Sequence, residues 1–191
     1  MKTNLRDIPE IFHSSETGAP MHHCKVCNKY LLDEGVQYSV EKAFVNYPGM
    51  GTRDLIWEFA MCNECMESTM QKVSEESQAK MNDYFAQNSD LYPHKQLLQE
   101  ENFDPDVWLE SCIVKGKKMS DCSQFQIAGQ CLGDKMIFEH TPFMISGLAM
   151  DEVAELLSNK TIGFMNDFRD KHFPPPEDLS PLLRDKDFVF I

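Results

Sequence analysis

Four of the seven cysteines in this chain form two closely spaced pairs, a pattern typical of metal-binding thiolates. Cys24 and Cys27 make the first CxxC pair, and Cys62 and Cys65 make the second after 34 intervening residues. Each CxxC turn can present two thiolates to one ion, and structural zinc takes four ligands in a tetrahedron. The spacing therefore predicts one structural Zn2+ held by these four cysteines, with no coordination position left open for catalysis.

The segment between the two cysteine pairs and the segment after them are predicted to form the elements that bring the four thiolates together. Two strand-like stretches, residues 36–45 and 54–61, flank a loop at residues 46–52 that is rich in turn-forming residues. This pattern predicts a β-hairpin. The second pair opens a helical stretch, NECMESTMQKV. Cys65 then lies in a first helical turn, where free backbone N–H groups and the helix dipole favour thiolate.

A knuckle, a hairpin and a helix that carries the last two ligands occur in this order in the treble-clef zinc fingers. Residues 24 to about 72 resemble that superfamily, with the first cysteine pair in the knuckle and the second at the helix start. Members of the superfamily include ribosomal, ubiquitin-related, nuclease and adaptor proteins. The resemblance therefore implies a fold and a metal, but no particular activity.

A later stretch of the chain resembles the first at an offset of about 84 positions. The matched segments, in chain order, are CKVCNK with CIVKGK, QYSVEKAF with QFQIAGQC, FAMCNECME with FMISGLAMD, and VSEESQAKMNDYF with LSNKTIGFMNDFR. The order is kept along the whole stretch, and gaps fall only where hairpin loops are expected. We interpret this as an internal repeat.

The second copy lacks most of the ligands. Cys112 takes the place of Cys24, whereas Lys115, Ser146 and Ala149 take the places of the other three. The copy is expected to keep the fold, to bind no zinc and to be stabilised by packing against the first. The predicted fold class is α+β, with two tandem treble-clef-like units (knuckle, β-hairpin, helices), the first zinc-binding and the second degenerate and metal-free.

Other potential ligands lie outside the two pairs. Four residues with nine, eight and eight residues between them could form a second, irregular site: Cys112, Cys122, Cys131 and His140. Those gaps lack knuckle spacing, and buried free cysteines behave as small apolar groups, so packing in the core is the favoured interpretation. His22 and His23 could replace a ligand or bind a second ion. Because four thiolates already satisfy zinc, exposed positions beside the knuckle are expected for both.

The chain divides into five predicted segments. They are an N-terminal segment (1–20), a zinc-binding N-terminal unit (21–86), a linker (87–107), a degenerate C-terminal unit (108–172) and a C-terminal tail (173–191). In each unit a serine, Ser74 or Ser158, is expected to cap a second helix with an apolar face that packs in the core. The linker is expected to form one or two helical turns, and the N-terminal segment to be loosely ordered.

The tail combines two features. Three consecutive prolines at 174–176 favour an extended connector. The last four residues, 188–191, are apolar enough to add a strand to a sheet edge or to fill a groove, in this chain or in a partner.

The overall composition narrows the classes of partner. The chain of 191 residues has 31 acidic and 18 basic residues, a net charge of −13, and no basic stripe. We therefore expect neither nucleic acid nor an anionic membrane as a partner. No apolar run is long enough to span a bilayer, and the first residues lack the apolar core of a secretory signal. Paired cysteines in such a chain favour metal binding in the reducing cytoplasm.

The sequence predicts no catalytic residues, because none of the familiar hydrolase, nucleotide-binding or metalloprotease motifs is present. We weigh three hypotheses. The preferred one is a non-enzymatic, zinc-stabilised protein-interaction or regulatory protein with an unidentified protein partner. The second is a zinc-thiolate redox switch. The third is a treble-clef enzyme such as a nuclease, for which no catalytic histidine and carboxylates can be assigned. The oligomeric state is left open.

Overall fold

The computed structural model describes residues 4–47 and 49–173. Within these residues the protein has a mixed α/β fold with a six-stranded antiparallel sheet and six α-helices. The strands are β1 (Leu5–Asp7), β2 (Gln37–Tyr47), β3 (Thr52–Cys62), β4 (Gln124–Leu132), β5 (Lys135–Ile137) and β6 (Phe143–Ser146). The α-helices are α1 (Asn63–Met70), α2 (Glu75–Asn88), α3 (Tyr92–Gln99), α4 (Pro105–Trp108), α5 (Gly147–Leu156) and α6 (Asn159–His172).

The predicted hairpin is confirmed as β2 and β3, which pair antiparallel with Tyr38 opposite Cys62. Both strands are rich in β-branched and aromatic residues, which favour the extended backbone of a half-buried sheet. Gly49 and Gly51 in the connecting turn have φ values of 89° and 66°, which glycine adopts without steric cost. The hairpin therefore delivers Cys62 to a fixed place at the end of β3.

The centre of the sheet joins the two units. The strand order is β1-β5-β4-β2-β3, and β6 also pairs with β4. Strand β2 of the N-terminal unit and β4 of the C-terminal unit pair antiparallel from Gln37 opposite Leu132 to Val45 opposite Gln124. The segments predicted as the two units, residues 21–86 and 108–172, therefore contact each other through a strand pairing within one sheet.

Helices of both units pack on one face of the sheet, which we call the helix face. On β3, Met61 lies with its Sδ 3.9 Å from the hydroxyl of Thr69 in α1. Phe59, on the same face, meets Phe168 of α6 edge-on with ring centroids 6.5 Å apart. Phe59 and Met61 are almost fully buried, as is Val153 of α5. Burial of this apolar surface is the main force that holds the helices on the sheet.

The two predicted capping serines are confirmed. Ser74 is the N-cap of α2 and accepts a hydrogen bond from the N–H of Ser77, while Ser158 is the N-cap of α6 and accepts one from Thr161. Each bond satisfies a backbone donor that the first turn of a helix leaves unpaired. The apolar faces of these helices lie in the core, as expected from their spacing.

The N-terminal segment differs from expectation. It was predicted to be loosely ordered, but β1 pairs with β5 at the edge of the sheet and Lys135 forms an ion pair with Asp7 at 2.7 Å. Phe12 is fully buried and Ile8 is 6% exposed. The prediction was wrong because two isolated apolar residues give no periodic signal, yet each fills a gap in the core.

The linker is helical, as predicted, and it also packs against the C-terminal unit. His94 of α3 is 5% exposed and stacks on Trp108 with ring centroids 4.6 Å apart. Trp108 in turn meets Phe138 edge-on at 5.2 Å. The predictions for the prolines at 174–176 and for the apolar end at 188–191 concern residues outside the described part of the chain.

Candidate metal centre

The first knuckle, residues 24–29, is a tight turn held by backbone hydrogen bonds. Cys24 donates its N–H to the carbonyl of Lys29 at 2.9 Å, and Asn28 donates to the carbonyl of Cys24 at 2.9 Å. Asn28 has a φ of 61°, a left-handed conformation that asparagine tolerates better than most residues. Lys25 donates to the carbonyl of Ala60 at 2.8 Å, which ties the knuckle to the end of β3.

The second cysteine pair lies where β3 becomes α1. Cys62 is the last residue of β3 and the N-cap of α1, with φ −66° and ψ 152°. Cys65 follows in the first helical turn, as the sequence predicted. The strand fixes the first thiol of this pair and the helix turns the second toward it.

The structure brings together all four cysteines that the sequence singled out. The Sγ atoms of Cys24, Cys27, Cys62 and Cys65 lie within 4.8 Å of one another. The Sγ atoms of Cys27 and Cys62 are 3.7 Å apart. A tetrahedral zinc with Zn–S bonds of about 2.3 Å requires sulfur atoms about 3.8 Å apart. The cluster therefore fits a zinc ion, which would be enclosed by four thiolates.

The surroundings of the thiols differ. Burial raises the pKa of Cys24, but hydrogen bonds from the backbone N–H groups of Cys27, Cys62 and Val26 outweigh it and lower that pKa to about 7. Burial raises the pKa of Cys62 and of Cys65. Cys27 is the one exposed member of the cluster. Backbone donors to a sulfur stabilise the thiolate, which is the form that binds a metal.

The two histidines beside the knuckle are not part of the cluster. His23 is exposed, as predicted, and its ring meets Tyr30 edge-on at 5.5 Å. His22 is half-buried rather than exposed, because its carbonyl accepts the N–H of Leu31 at 2.8 Å and holds this segment against the knuckle.

The irregular second site does not form. Cys112, Cys122 and Cys131 are each at most 2% exposed, whereas His140 is exposed. In residues 4–47 and 49–173, the four-cysteine cluster is the one group of three or more potential ligands close enough to share an ion. The prediction of core packing for these cysteines is confirmed.

A second knuckle at residues 112–117 has the same hydrogen bonds as the first. Cys112 donates to the carbonyl of Lys117 at 2.8 Å, and Gly116 donates to the carbonyl of Cys112 at 2.8 Å. Gly116 has a φ of 62°, close to the 61° of Asn28. Ile113 donates to Met144 at 3.0 Å, the counterpart of the bond that ties the first knuckle to β3.

The residues beside this knuckle that the sequence alignment matches to the four cysteines, which we call the second centre, include one thiol. Its four residues are Cys112, Lys115, Ser146 and Ala149. The Cys112 sulfur accepts the N–H groups of Lys115 at 3.3 Å and Ser146 at 3.2 Å. The Lys115 ammonium turns away to Glu152 at 2.7 Å. The hydroxyl of Ser146 is buried and has no hydrogen-bond partner among the described residues.

An open cleft of about 470 Å³ lies elsewhere, between the N-terminal segment and β2–β3. Its buried cation, Lys42, forms an ion pair with Glu58 at 2.9 Å and donates to the carbonyl of His13 at 2.6 Å. Glu58 in turn accepts the N–H and hydroxyl of Ser15, both at 2.8 Å. These contacts hold the N-terminal segment on the sheet. The ion pair between Lys42 and Glu58 therefore has a structural role.

No helix of the described residues is both long and apolar enough to cross a membrane. Comparisons of the chain with protein-family models, with curated proteins and with solved structures found no match. The function must therefore be argued from the site itself.

Proposed function

We propose that this protein is a non-enzymatic, zinc-stabilised protein-interaction or regulatory protein of the reducing cytoplasm, with another protein as its partner. The observation that carries the proposal is the cluster of four thiols from the knuckle and the start of α1. Four thiolates complete the shell of a zinc ion and leave no position for substrate or activated water. A metal held there would add about 10 kcal/mol or more of apparent binding energy to folding.

We propose further that the fold consists of two treble-clef-like units, of which the second is a degenerate copy. Support comes from hydrogen bonds repeated at equivalent positions. The matched donor and acceptor pairs are Cys24–Lys29 with Cys112–Lys117, Asn28–Cys24 with Gly116–Cys112, Lys25–Ala60 with Ile113–Met144, and the capping pairs Ser77–Ser74 with Thr161–Ser158. In this reading the second unit has kept the backbone of a metal centre and lost its ligands.

The strand registers support the same relationship. Tyr38 lies opposite Cys62 in the β2–β3 pair, and Phe125 lies opposite Ser146 in the β4–β6 pair. The second pair consists of the residues that the sequence alignment equates with the first. The strand register is set by each strand's own pattern of buried side chains. Two unrelated segments would therefore not be expected to pair their strands at equivalent positions.

The pairing between units has the form expected of a twofold relationship. Glu41 and Ala128 occupy equivalent positions in the alignment, and they lie directly opposite each other in the β2–β4 ladder. In a twofold arrangement each residue on the axis faces its own counterpart. The sheet would arise simply if two identical copies of one unit first formed a symmetric dimer through this strand and were later joined in one chain by duplication.

A protein-binding role fits the chemistry that is present. The net charge of −13 opposes nucleic acid and anionic lipid. The second unit has no metal to hold, so its surface is under fewer constraints and is available for a partner. We place the chain in the cytoplasm because its cysteines are unlinked thiols.

A redox switch is the second candidate, favoured by the exposure of Cys27 within the cluster. Its sulfur lies 3.7 Å from that of Cys62. A peroxide would oxidise two of the thiolates to a disulfide, would itself be reduced to water, and would release the zinc ion. Micromolar peroxide should then release metal quickly from the native protein. Slow release, at the rate of unselective oxidation, would eliminate this candidate.

Elemental analysis of the purified, tag-free chain tests the zinc assignment. We expect one zinc per chain in the wild type and in Cys112→Ser, and none in Cys24→Ser. The two variants are matched, because both thiols are 2% exposed and both accept backbone N–H groups. A chain without metal, or one in which Cys112→Ser also loses it, contradicts the assignment.

Partner capture tests the interaction role itself. Full-length wild-type protein should retain a specific protein from lysate of its native host. The zinc-free Cys24→Ser chain should lose it, because β2 of the N-terminal unit pairs with β4 of the C-terminal unit, so that unfolding the first also disrupts the partner surface on the second. Failure of both the wild type and Cys112→Ser to retain any specific protein would count against an interaction role.

A further inference from the structure

Phe44 of β2 lines the sheet side of the cleft between the N-terminal segment and the β2–β3 hairpin. Its ring stacks on Phe125 of β4 with centroids 5.1 Å apart, which fixes it in place. The opposite wall is formed by residues of the segment 10–18, with Ile11 among them. The cleft volume of about 470 Å³ lies within the range of small-molecule sites, roughly 300–1,000 Å³. The cleft can therefore admit a small organic ligand.

The polar groups of the N-terminal wall are engaged within the protein. Both ring nitrogens of His13 lie at hydrogen-bond distance from carbonyl oxygens, at 3.1 and 2.9 Å. The hydroxyls of Ser14 and Ser15 donate to the same oxygen of Glu58, at 3.4 and 2.8 Å. Because these groups already have partners, this wall offers a ligand mainly its shape and the apolar contact of Ile11.

The sheet side of the cleft has donors that the fold does not use. The Arg53 guanidinium has no carboxylate partner in the described part of the chain, and its Nη1 lies 3.6 Å from the Met119 sulfur. A guanidinium has five N–H donors, so most of them remain for a ligand. Buried Lys42 uses two of its three N–H donors, on Glu58 and on the carbonyl of His13. The uncommitted donors on this side therefore belong to two cations.

One of the two positive charges beside the Phe44 ring is uncompensated. Arg53 Cζ lies 5.3 Å and Lys42 Nζ 5.7 Å from the centroid of that ring. Burial raises the pKa of Glu58, but hydrogen bonds, first of all that from Lys42, outweigh it and lower that pKa, so charged Glu58 neutralises Lys42. Glu10 on the opposite wall is exposed, where water and salt screen its charge. The charge of Arg53 thus favours a ligand with a single negative charge, and Glu10 disfavours a dianion.

We propose that this cleft binds a small organic carboxylate. The carboxylate accepts two parallel hydrogen bonds from the planar Arg53 guanidinium, and the apolar body of the ligand lies against Phe44 and Ile11. Arg53 is the second residue of β3, whereas Cys62 is the last residue of that strand. Binding of the carboxylate therefore needs neither zinc nor a protein partner, and this activity goes beyond the proposed interaction role.

Titration of the 15N-labelled full chain, followed by NMR, tests the proposal. The probes are phenylacetate and hexanoate, which share the carboxylate and differ in the apolar body. We expect at least one of them to shift the amide signals of Phe44 and Arg53 in a saturable way at millimolar concentration. Phenylacetamide has the ring of phenylacetate without its charge, and it should bind at least about tenfold more weakly, because hydrogen bonds to charged groups are the strong ones.

Two variants locate the charge that the ligand recognises. Arg53→Gln should weaken carboxylate binding at least about tenfold. Because Arg53 is exposed, the rest of the spectrum should match the wild type and so show that the fold is intact. Lys72→Gln is the matched control and should bind as the wild type. It also removes an exposed cation beside an aromatic ring, since the Lys72 ammonium lies 5.7 Å from the Phe164 centroid.

Four results would each overturn part of the proposal. If neither carboxylate shifts the signals of the cleft residues in a saturable way, the cleft is not a ligand site. Equal affinity of the wild type and Arg53→Gln, or of phenylacetate and phenylacetamide, overturns recognition of the negative charge. Tighter binding of inorganic phosphate overturns the choice of a monoanion. Tighter binding of an acetylated tripeptide that ends in phenylalanine overturns the choice of a small molecule in favour of a peptide terminus.

Discussion

Ser74 and Ser158 lie 84 positions apart, and each caps a helix with its hydroxyl while the two Oγ atoms meet at 3.0 Å. The contacts around them are reciprocal. Ser74 donates its N–H to the hydroxyl of Thr161 at 3.1 Å, and Ser158 donates its N–H to the hydroxyl of Ser77 at 2.9 Å. Each helix therefore depends on the other unit for part of its cap, and four mutually bonded hydroxyls join the units.

Replacing one of these serines should destabilise both helices. We expect Ser74→Ala to lower the free energy of unfolding by about 1–2 kcal/mol, because it removes an N-cap and takes one hydrogen bond each from the hydroxyls of Ser158 and Thr161. Urea unfolding monitored by circular dichroism measures this. Exposed Ser68 in α1 is the control, and Ser68→Ala should change stability by less than about 0.5 kcal/mol.

The double variant Ser74→Ala/Ser158→Ala tests whether the two caps act as one unit. Because the residues are in direct contact, its loss of stability should differ from the sum of the single losses by at least about 0.5 kcal/mol. Simple additivity would mean that each cap serves only its own helix.

A glycine in β4 is predicted to be required by packing. A Cβ at Gly129 would lie 2.5 Å from Cε of Met136 and 3.2 Å from Cε1 of Phe12, and both of those side chains are fully buried. Gly129→Ala should therefore cost about 1–3 kcal/mol of stability. Gly163, in the interior of α6, has open space around it, and Gly163→Ala should stabilise by about 1 kcal/mol. Thermal unfolding measures both variants. If Gly129→Ala and Gly163→Ala shifted the melting temperature in the same direction, this contrast would be refuted.

Much of the N-terminal unit could be predicted from local patterns. The cysteine spacing, the turn residues of the hairpin and the capping serines each specify a local geometry, and each lies where it was expected. The metal candidates Cys24, Cys27, Cys62 and Cys65 needed no tertiary information, since a knuckle and a helix start are both short-range features. The core positions of Cys112, Cys122 and Cys131 followed from the lack of such spacing.

The long-range pairings could not be predicted in the same way. The register of β2 with β4 depends on two segments about 87 positions apart, and hydrophobic alternation within either strand does not select its partner. The roles of Phe12 and His94 were missed for a similar reason. Each is a single residue that fills space created by distant elements, and a single residue carries no periodic signal.

His94 should make stability depend on pH. Burial lowers its pKa, only partly offset by its hydrogen bond to the carbonyl of Trp108 and by the charge of Asp90, while His140 lowers it further. Nε2 lies 3.0 Å from that carbonyl and so carries the proton, whereas buried Nδ1 has no hydrogen-bond partner among the described residues. The folded state therefore favours the neutral ring.

The sign of the effect follows from proton binding. Below the ordinary histidine pKa of about 6.5 the unfolded chain takes up a proton that the folded chain resists. The stability contributed by neutral His94 is therefore complete above that pH and is lost as the pH falls toward the lowered folded pKa. Urea midpoints measured across this range should fall less steeply in His94→Phe than in the wild type. An unchanged slope in His94→Phe would refute the assignment.

The last prediction concerns the second centre, where Cys112 keeps the two backbone hydrogen bonds to its sulfur. If this is a metal centre that has lost three ligands, restoring them should restore the metal. We expect Lys115→Cys/Ser146→Cys/Ala149→Cys to raise the zinc content from one ion per chain to two, because the knuckle, strand end and helix start that hold the four positions match those of the first centre. Adding Cys112→Ser to the triple variant should return the content to one, since three thiols then remain. A triple variant that folds, as judged by circular dichroism, yet still binds a single zinc would show that the second centre has repacked. Its resemblance to the first would then be limited to the backbone.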